Sequence, residues 1–182
     1  CFMKISVIII VFFAASALSF QEVKLNKSAL KKMDKSIKST WEVDDYQKVS
    51  LALAGGKSEG IKLQGSEQFY AVQKADQSFL GYMILSSARG KYDYFDLMVL
   101  YNEKIEILDS EILVYREDFG GEIGSGRWLR QFNGKTFESQ FKLDEDVQGI
   151  SGATISVRSA TNEIKRVTRL MEELKNQNKL NP

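Results

Sequence analysis

The residues best suited to chemistry lie near the C-terminal end of the chain, in Gly149-Ile150-Ser151-Gly152-Ala153-Thr154-Ile155-Ser156. Gly152 and Ala153 side by side let a bulky group approach the backbone. The apolar pattern that follows predicts a helix, whose N-terminus offers unpaired N–H groups and a partial positive charge. That combination suits a phosphate. A hydroxyl placed there can hydrogen-bond a phosphate or be esterified by one. Taken alone, the same residues also read as a Ser/Thr-rich helix cap, and at this point both readings stand.

Composition narrows the chemistry. The chain has no histidine, which removes Ser-His-Asp and Cys-His nucleophiles together with His-ligated metal and haem sites. Its one cysteine, Cys1, excludes intrachain disulfides and cysteine-ligated clusters. Carboxylates, hydroxyls, lysines or a borrowed organic cofactor remain. Basic and acidic residues number 25 and 24, so there is no basic footprint of the kind nucleic-acid binding leaves. Two glycine-rich stretches fail as nucleotide motifs. Gly56-Lys57-Ser58 has Leu51 where a P-loop needs its first glycine, and Gly121, Gly124 and Gly126 have no βαβ unit around them.

The elements that must position this segment are legible as period changes. Residues 1–19 are expected to be an export signal: Lys4 precedes an apolar run from Ile5 to Leu18, short of the ~20 residues of a membrane span, and the run ends in small residues. Cleavage near Phe20 or retention as an anchor are the two outcomes. Residues 20–65 form an N-terminal helical segment, in which Leu30, Met33, Ile37 and Trp41 make one face of a helix over 28–41. Strands are expected over 69–72, 79–85, 92–101 and 105–115, and again over 136–143. Short polar or glycine-bearing turns separate the first four, which favours antiparallel neighbours. A short helix is expected over 127–132. A closing helix over about 159–176 has Ile164, Val167, Leu170, Met171 and Leu174 as its stripe and Ser156 or Ser159 as its cap. The fold class is therefore α+β, an antiparallel sheet packed by an N-terminal and a C-terminal helix.

Ser151-Gly152-Ala153-Thr154-Ile155-Ser156, between a strand region and a closing helix, resembles the flavinylation motif of FMN-binding domains. Such domains occur in the C subunit of sodium-pumping NADH:quinone reductase and the G subunit of the Rnf complex. The resemblance extends upstream through Gly81-Tyr82, Tyr92 to Tyr101, Val114-Tyr115-Arg116-Glu117 and Trp128-Leu129-Arg130-Gln131-Phe132-Asn133-Gly134-Lys135. It covers roughly residues 66–175, within a domain placed at 66–182. It implies FMN as the cofactor, held as a phosphoester on Thr154 and attached from FAD by a separate flavin transferase outside the cytoplasm. By position it places Ser151, Gly152, Ala153 and Ile155 at the phosphate end. Glu117 and the loop from Gly120 to Gly124, with Gly120 and Gly121 foremost, would lie near the flavin ring, with Trp128 and Leu129 as packing partners. The function it implies is an exported electron-transfer carrier, not a catalyst in its own right. Its expected partner is a redox protein, soluble or membrane-bound, and its expected location is the periplasm or the outer face of the cytoplasmic membrane.

Two departures separate this chain from the family pattern. Gln148 stands where the family has an acid, with Asp146 two residues earlier, and the glutamate loop reads Glu117-Asp118-Phe119-Gly120-Gly121 in place of Glu-Thr-Pro-Gly-Leu. Gln148 keeps a rival reading open, an exported binding or scaffold module of the same fold that has lost the flavin. A substrate-reducing flavoenzyme subunit ranks third, because the chain has no room for a fused catalytic domain.

Overall fold

The computed structural model describes residues 25–51 and 63–180; the expected export segment and the 55–58 loop lie outside them. Five strands form one sheet: β1 (Gln47–Ser50), β2 (Gln68–Gln73), β3 (Phe79–Arg89), β4 (Tyr94–Tyr101) and β5 (Ile107–Val114). Their order in the sheet is their order in the chain, and every pair is antiparallel. The short turns read from the sequence are the hairpins of this meander. The fold is α+β, as expected.

Helix α1 (Lys27–Trp41) and helix α3 (Thr154–Asn176) cover opposite faces of the sheet. Side chains alternate across a strand, so β4 sends Leu97, Val99 and Tyr101 toward α3 and Met98 and Leu100 toward α1. Burial on both sides explains why β4 reads as an apolar run broken only by Asp96. On the α3 side, Val157, Ala160, Ile164, Val167, Leu170, Met171 and Leu174 pack on Ile84, Leu97 and Val99. The Tyr101 hydroxyl meets Thr168 Oγ1 at 3.0 Å, which satisfies two polar groups inside that core.

Helix α1 is capped by Asn26, whose Oδ1 accepts from the Ala29 amide at 2.9 Å. Its buried face is Ala29, Met33, Ser36 and Ile37. Leu30, expected on the apolar stripe, is 44% exposed. The helix is rotated so that the small Ala29 takes the position against the sheet.

Three further expectations are corrected. Edge strand β1 falls inside the 20–65 segment expected to be helical, and the sequence did not signal it because most of its side chains are exposed and it carries no apolar alternation. No strand forms over 136–143. Phe141 has φ 53°, and the amides of Phe141 and Lys142 donate to the Asp146 carboxylate instead of a neighbouring strand. The closing helix begins at Thr154, so neither Ser156 nor Ser159 is its cap; Ala153 holds the cap position with no side-chain bond.

A buried ionic cluster pins α3 to the segment before β2. Arg166 Nη2 lies 2.6 Å from both Glu67 Oε1 and Glu163 Oε1, and Ser86 donates to Glu163 at 2.5 Å. Glu67 also accepts the Gln64 and Gly65 amides. Its carboxylate is thus fully engaged where it is taken out of water.

Candidate functional site

The meander ends at Val114, and the chain then turns back toward the start of α3. Arg116 and Glu117 clamp the β3–β4 hairpin on the way. Arg116 donates to the Tyr94 carbonyl at 2.9 Å and pairs with the buried Asp96 at 2.5 Å. Glu117 Oε1 accepts the Tyr92 and Asp93 amides at 2.5 and 3.0 Å. The Asp93 and Tyr92 amide bonds hold its carboxyl below the usual carboxylate range. The Glu117 side chain is therefore committed to the hairpin.

Beyond it, Gly120 has φ 86° and sits so close to α3 that a Cβ there would lie 2.8 Å from Tyr115 Oη and 2.9 Å from Ser156 Oγ. Only glycine fits this left-handed, crowded position. Tyr115 donates to the Phe119 carbonyl at 2.7 Å and meets Ser156 Oγ at 2.8 Å. With its one proton committed to Phe119, Tyr115 accepts the Ser156 hydrogen. Partial burial pushes the Tyr115 phenol up from its ordinary range, so it stays protonated and donating. Ser156, expected as a cap, is buried instead and ties the glycine loop to the first turn of α3.

This clasp closes one side of a cleft of about 430 Å³ lined by Asp118, Phe119, Gly120, Gly121, Glu122, Ser151 and Gly152. The structure thus brings together four of the sequence-predicted residues: Gly120 and Gly121 from one loop, Ser151 and Gly152 from the other. Gly152 has φ 80° and open space where a Cβ would stand. Ala153 is buried as the helix is entered, while Thr154 and Ile155 are exposed on its first turn. The first α-helical bond runs from the Val157 amide to the Ala153 carbonyl, and no side chain caps the end. The amides at 154–156 therefore have no intrahelical acceptor.

Trp128 and Leu129 lie elsewhere. They belong to a short helix α2 (Gly126–Leu129) and are buried in the core, Trp128 edge-on to Phe132 with ring centroids 5.2 Å apart. Trp128 acts on the site through its indole N–H, which donates to the Gln148 carbonyl at 2.8 Å. The Gln148 amide donates to Gln131 Oε1 at 2.7 Å. Both backbone groups of Gln148 are thus fixed while its side chain is exposed. Asp146 is not free to replace an acid at 148: its carboxylate holds the Phe141 and Lys142 amides and pairs with Lys135 Nζ at 2.8 Å.

Sequence reasoning missed Asp118 and Phe119 as cleft residues and Tyr115 as the clasp. A hydroxyl two residues before Glu117 was visible, but its partner 41 positions away was not.

A phosphorylated planar ligand fits what is present. The uncapped helix start and the open Gly152 suit a phosphate, and the adjoining cleft has room and one apolar side chain for a ring. Among the described residues, no group of acidic or cysteine side chains is arranged to hold a metal ion, and no helix is long and apolar enough to cross a membrane.

No curated protein matches the chain. Residues 90–169, from the β3–β4 turn through most of α3, match the model of the FMN-binding domain. The segment they enclose contains the clasp, the cleft and Thr154, and over these residues the chain carries an FMN-binding domain, with FMN as the cofactor.

Proposed function

We propose that this protein is an exported electron carrier whose FMN is joined through its phosphate to Thr154. The observation that carries the reading is the state of α3 at its start. Thr154 is exposed on an uncapped first turn, beside a cleft made by the two glycine-bearing loops. A threonine hydroxyl is a poor nucleophile and needs an enzyme to align it with phosphorus. In the proposed attachment, a flavin transferase joins Thr154 Oγ1 to the flavin-side phosphorus of FAD. The pyrophosphate bond breaks, AMP leaves, and the hydroxyl proton passes to a base on the transferase. The chain's own part is to present the hydroxyl on a rigid stem. Gly152 lets the phosphate approach, and the first-turn amides and helix dipole stabilise its charge.

Once bound, the flavin supplies reversible electron uptake, chemistry that needs no acid or base from a histidine-free chain. The protein's residues anchor the flavin, shape its surroundings and leave an edge for a redox partner. Export rests on the apolar run from Ile5 to Leu18 and on the location expected of the transferase. Coexpression with a flavin transferase tests the reading. The purified protein is expected to be yellow, with flavin that stays with the denatured chain and maps to the peptide containing Thr154. Flavin on another peptide, or none, would overturn it.

A further inference from the structure

Phe119 is 80% exposed, the most exposed large apolar side chain among the described residues. Leaving such a ring in water forgoes the stabilisation its burial would give. Its backbone, by contrast, is fixed. The Phe119 carbonyl takes the Tyr115 proton at 2.7 Å, and Gly120 is wedged between Tyr115 and Ser156. Two residues earlier Glu117 is bound to the hairpin. A free aromatic ring thus stands on a held stem at the lip of the cleft.

The other residues lining that cleft are Asp118, Gly120, Gly121, Glu122, Ser151 and Gly152. None offers an apolar side chain. Three glycines leave flat backbone, and the two carboxylates prefer water. A planar, apolar ligand ring entering the cleft would find one side chain able to pack on its face. Aromatic stacking in an offset geometry adds attraction beyond what the buried area gives.

We propose that Phe119 packs against the isoalloxazine ring of the bound FMN and shields one face of it from solvent. The inference rests on the reading that FMN is anchored at Thr154. Phe119 occupies the position where the family loop carries proline, so this contact belongs to this chain's own loop. Removing the ring should open the flavin to water and favour its charged reduced form, moving the midpoint potential to less negative values.

The test uses flavin-loaded wild type, Phe119→Trp, Phe119→Ala and Phe119→Leu, each with its intact mass measured. An indole stacked on the flavin quenches its emission by donating an electron to the excited ring. Phe119→Trp is therefore expected to lose more than half of the flavin fluorescence. Phe119→Ala should increase collisional quenching by iodide roughly twofold, with Leu intermediate, as expected when a cover of this size is removed. In the flavin-free proteins, where the side chain is exposed, all three variants should keep the wild-type unfolding midpoint. Unchanged emission in Phe119→Trp together with unchanged iodide access in Phe119→Ala would overturn the proposal and leave Phe119 as a contact for a protein partner. A wild type whose mass contains no flavin would instead overturn the Thr154 reading beneath it.

Discussion

Tyr115 Oη and Ser156 Oγ lie 2.8 Å apart, and through this bond the loop after β5 is fastened to the first turn of the helix that begins with Thr154. Ser156 is two residues from the proposed attachment point, and Tyr115 holds the Phe119 carbonyl with its own proton. The two hydroxyls set the width of the cleft. Tyr115→Phe removes one hydrogen bond to each neighbour and leaves the buried Ser156 without a partner. The expected cost is about 1–3 kcal/mol of stability, measured by denaturant unfolding. Flavin attachment should slow but not stop, and Ser156→Ala in the same background should add little, since the two share one interaction.

Gln148 and Asp146 have separable roles. Asp146 organises its own turn through Phe141, Lys142 and Lys135, whereas the Gln148 side chain is exposed with its backbone held by Trp128 and Gln131. Gln148→Asp should accelerate flavin attachment, because a carboxylate there can make charge-assisted bonds to the transferase without disturbing the loop. Asp146→Asn should lower stability by about 1–2 kcal/mol. Attachment rates with one transferase, set beside unfolding curves, check both; equal rates for wild type and Gln148→Asp would contradict the assignment of position 148.

The Glu117 carboxylate couples the hairpin to pH. Its folded pKa is depressed by the Asp93 and Tyr92 amides. The stabilisation is therefore fully present above the unfolded value of about 4.3 and is lost as pH falls through the lower folded value. Glu117→Gln should lower stability at neutral pH, where that stabilisation is fully present, and flatten the acid limb of the profile. Thermal unfolding from neutral to acid pH measures this.

Arg166 pairs with both Glu67 and Glu163, which are buried. Arg166→Met should leave two carboxylates uncompensated and destabilise the protein by about 3–5 kcal/mol. Flavin content of the fraction that folds should be unchanged, because the cluster lies away from the cleft residues. Chemical denaturation and visible absorption together read the two effects.

The meander and the two flanking helices were legible because hairpin turns and helical stripes are local patterns. Edge strand β1 was not, since an exposed strand shows no alternation. Phe137 and Phe141 gave residues 136–143 the look of a strand. There the backbone follows a carboxylate four to five residues ahead instead, and a left-handed Phe141 has no signature in composition. At the site, Thr154 and its glycine neighbour were readable as a motif. The clasp was not, because it joins residues from two ends of the domain. Trp128 illustrates the limit: the residue was singled out, but its position is a core one, and it reaches the loop only through an indole N–H.

The central claim is that Thr154 carries the flavin. The most direct measurement is the intact mass of wild type and Thr154→Ala, each coexpressed with a flavin transferase. Wild type is expected to gain the mass of one FMN less one water, and Thr154→Ala to gain nothing while unfolding at the same denaturant concentration, because Thr154 is exposed. A Thr154→Ala protein that still carries covalent flavin would contradict the account and move the attachment to Ser151 or another hydroxyl.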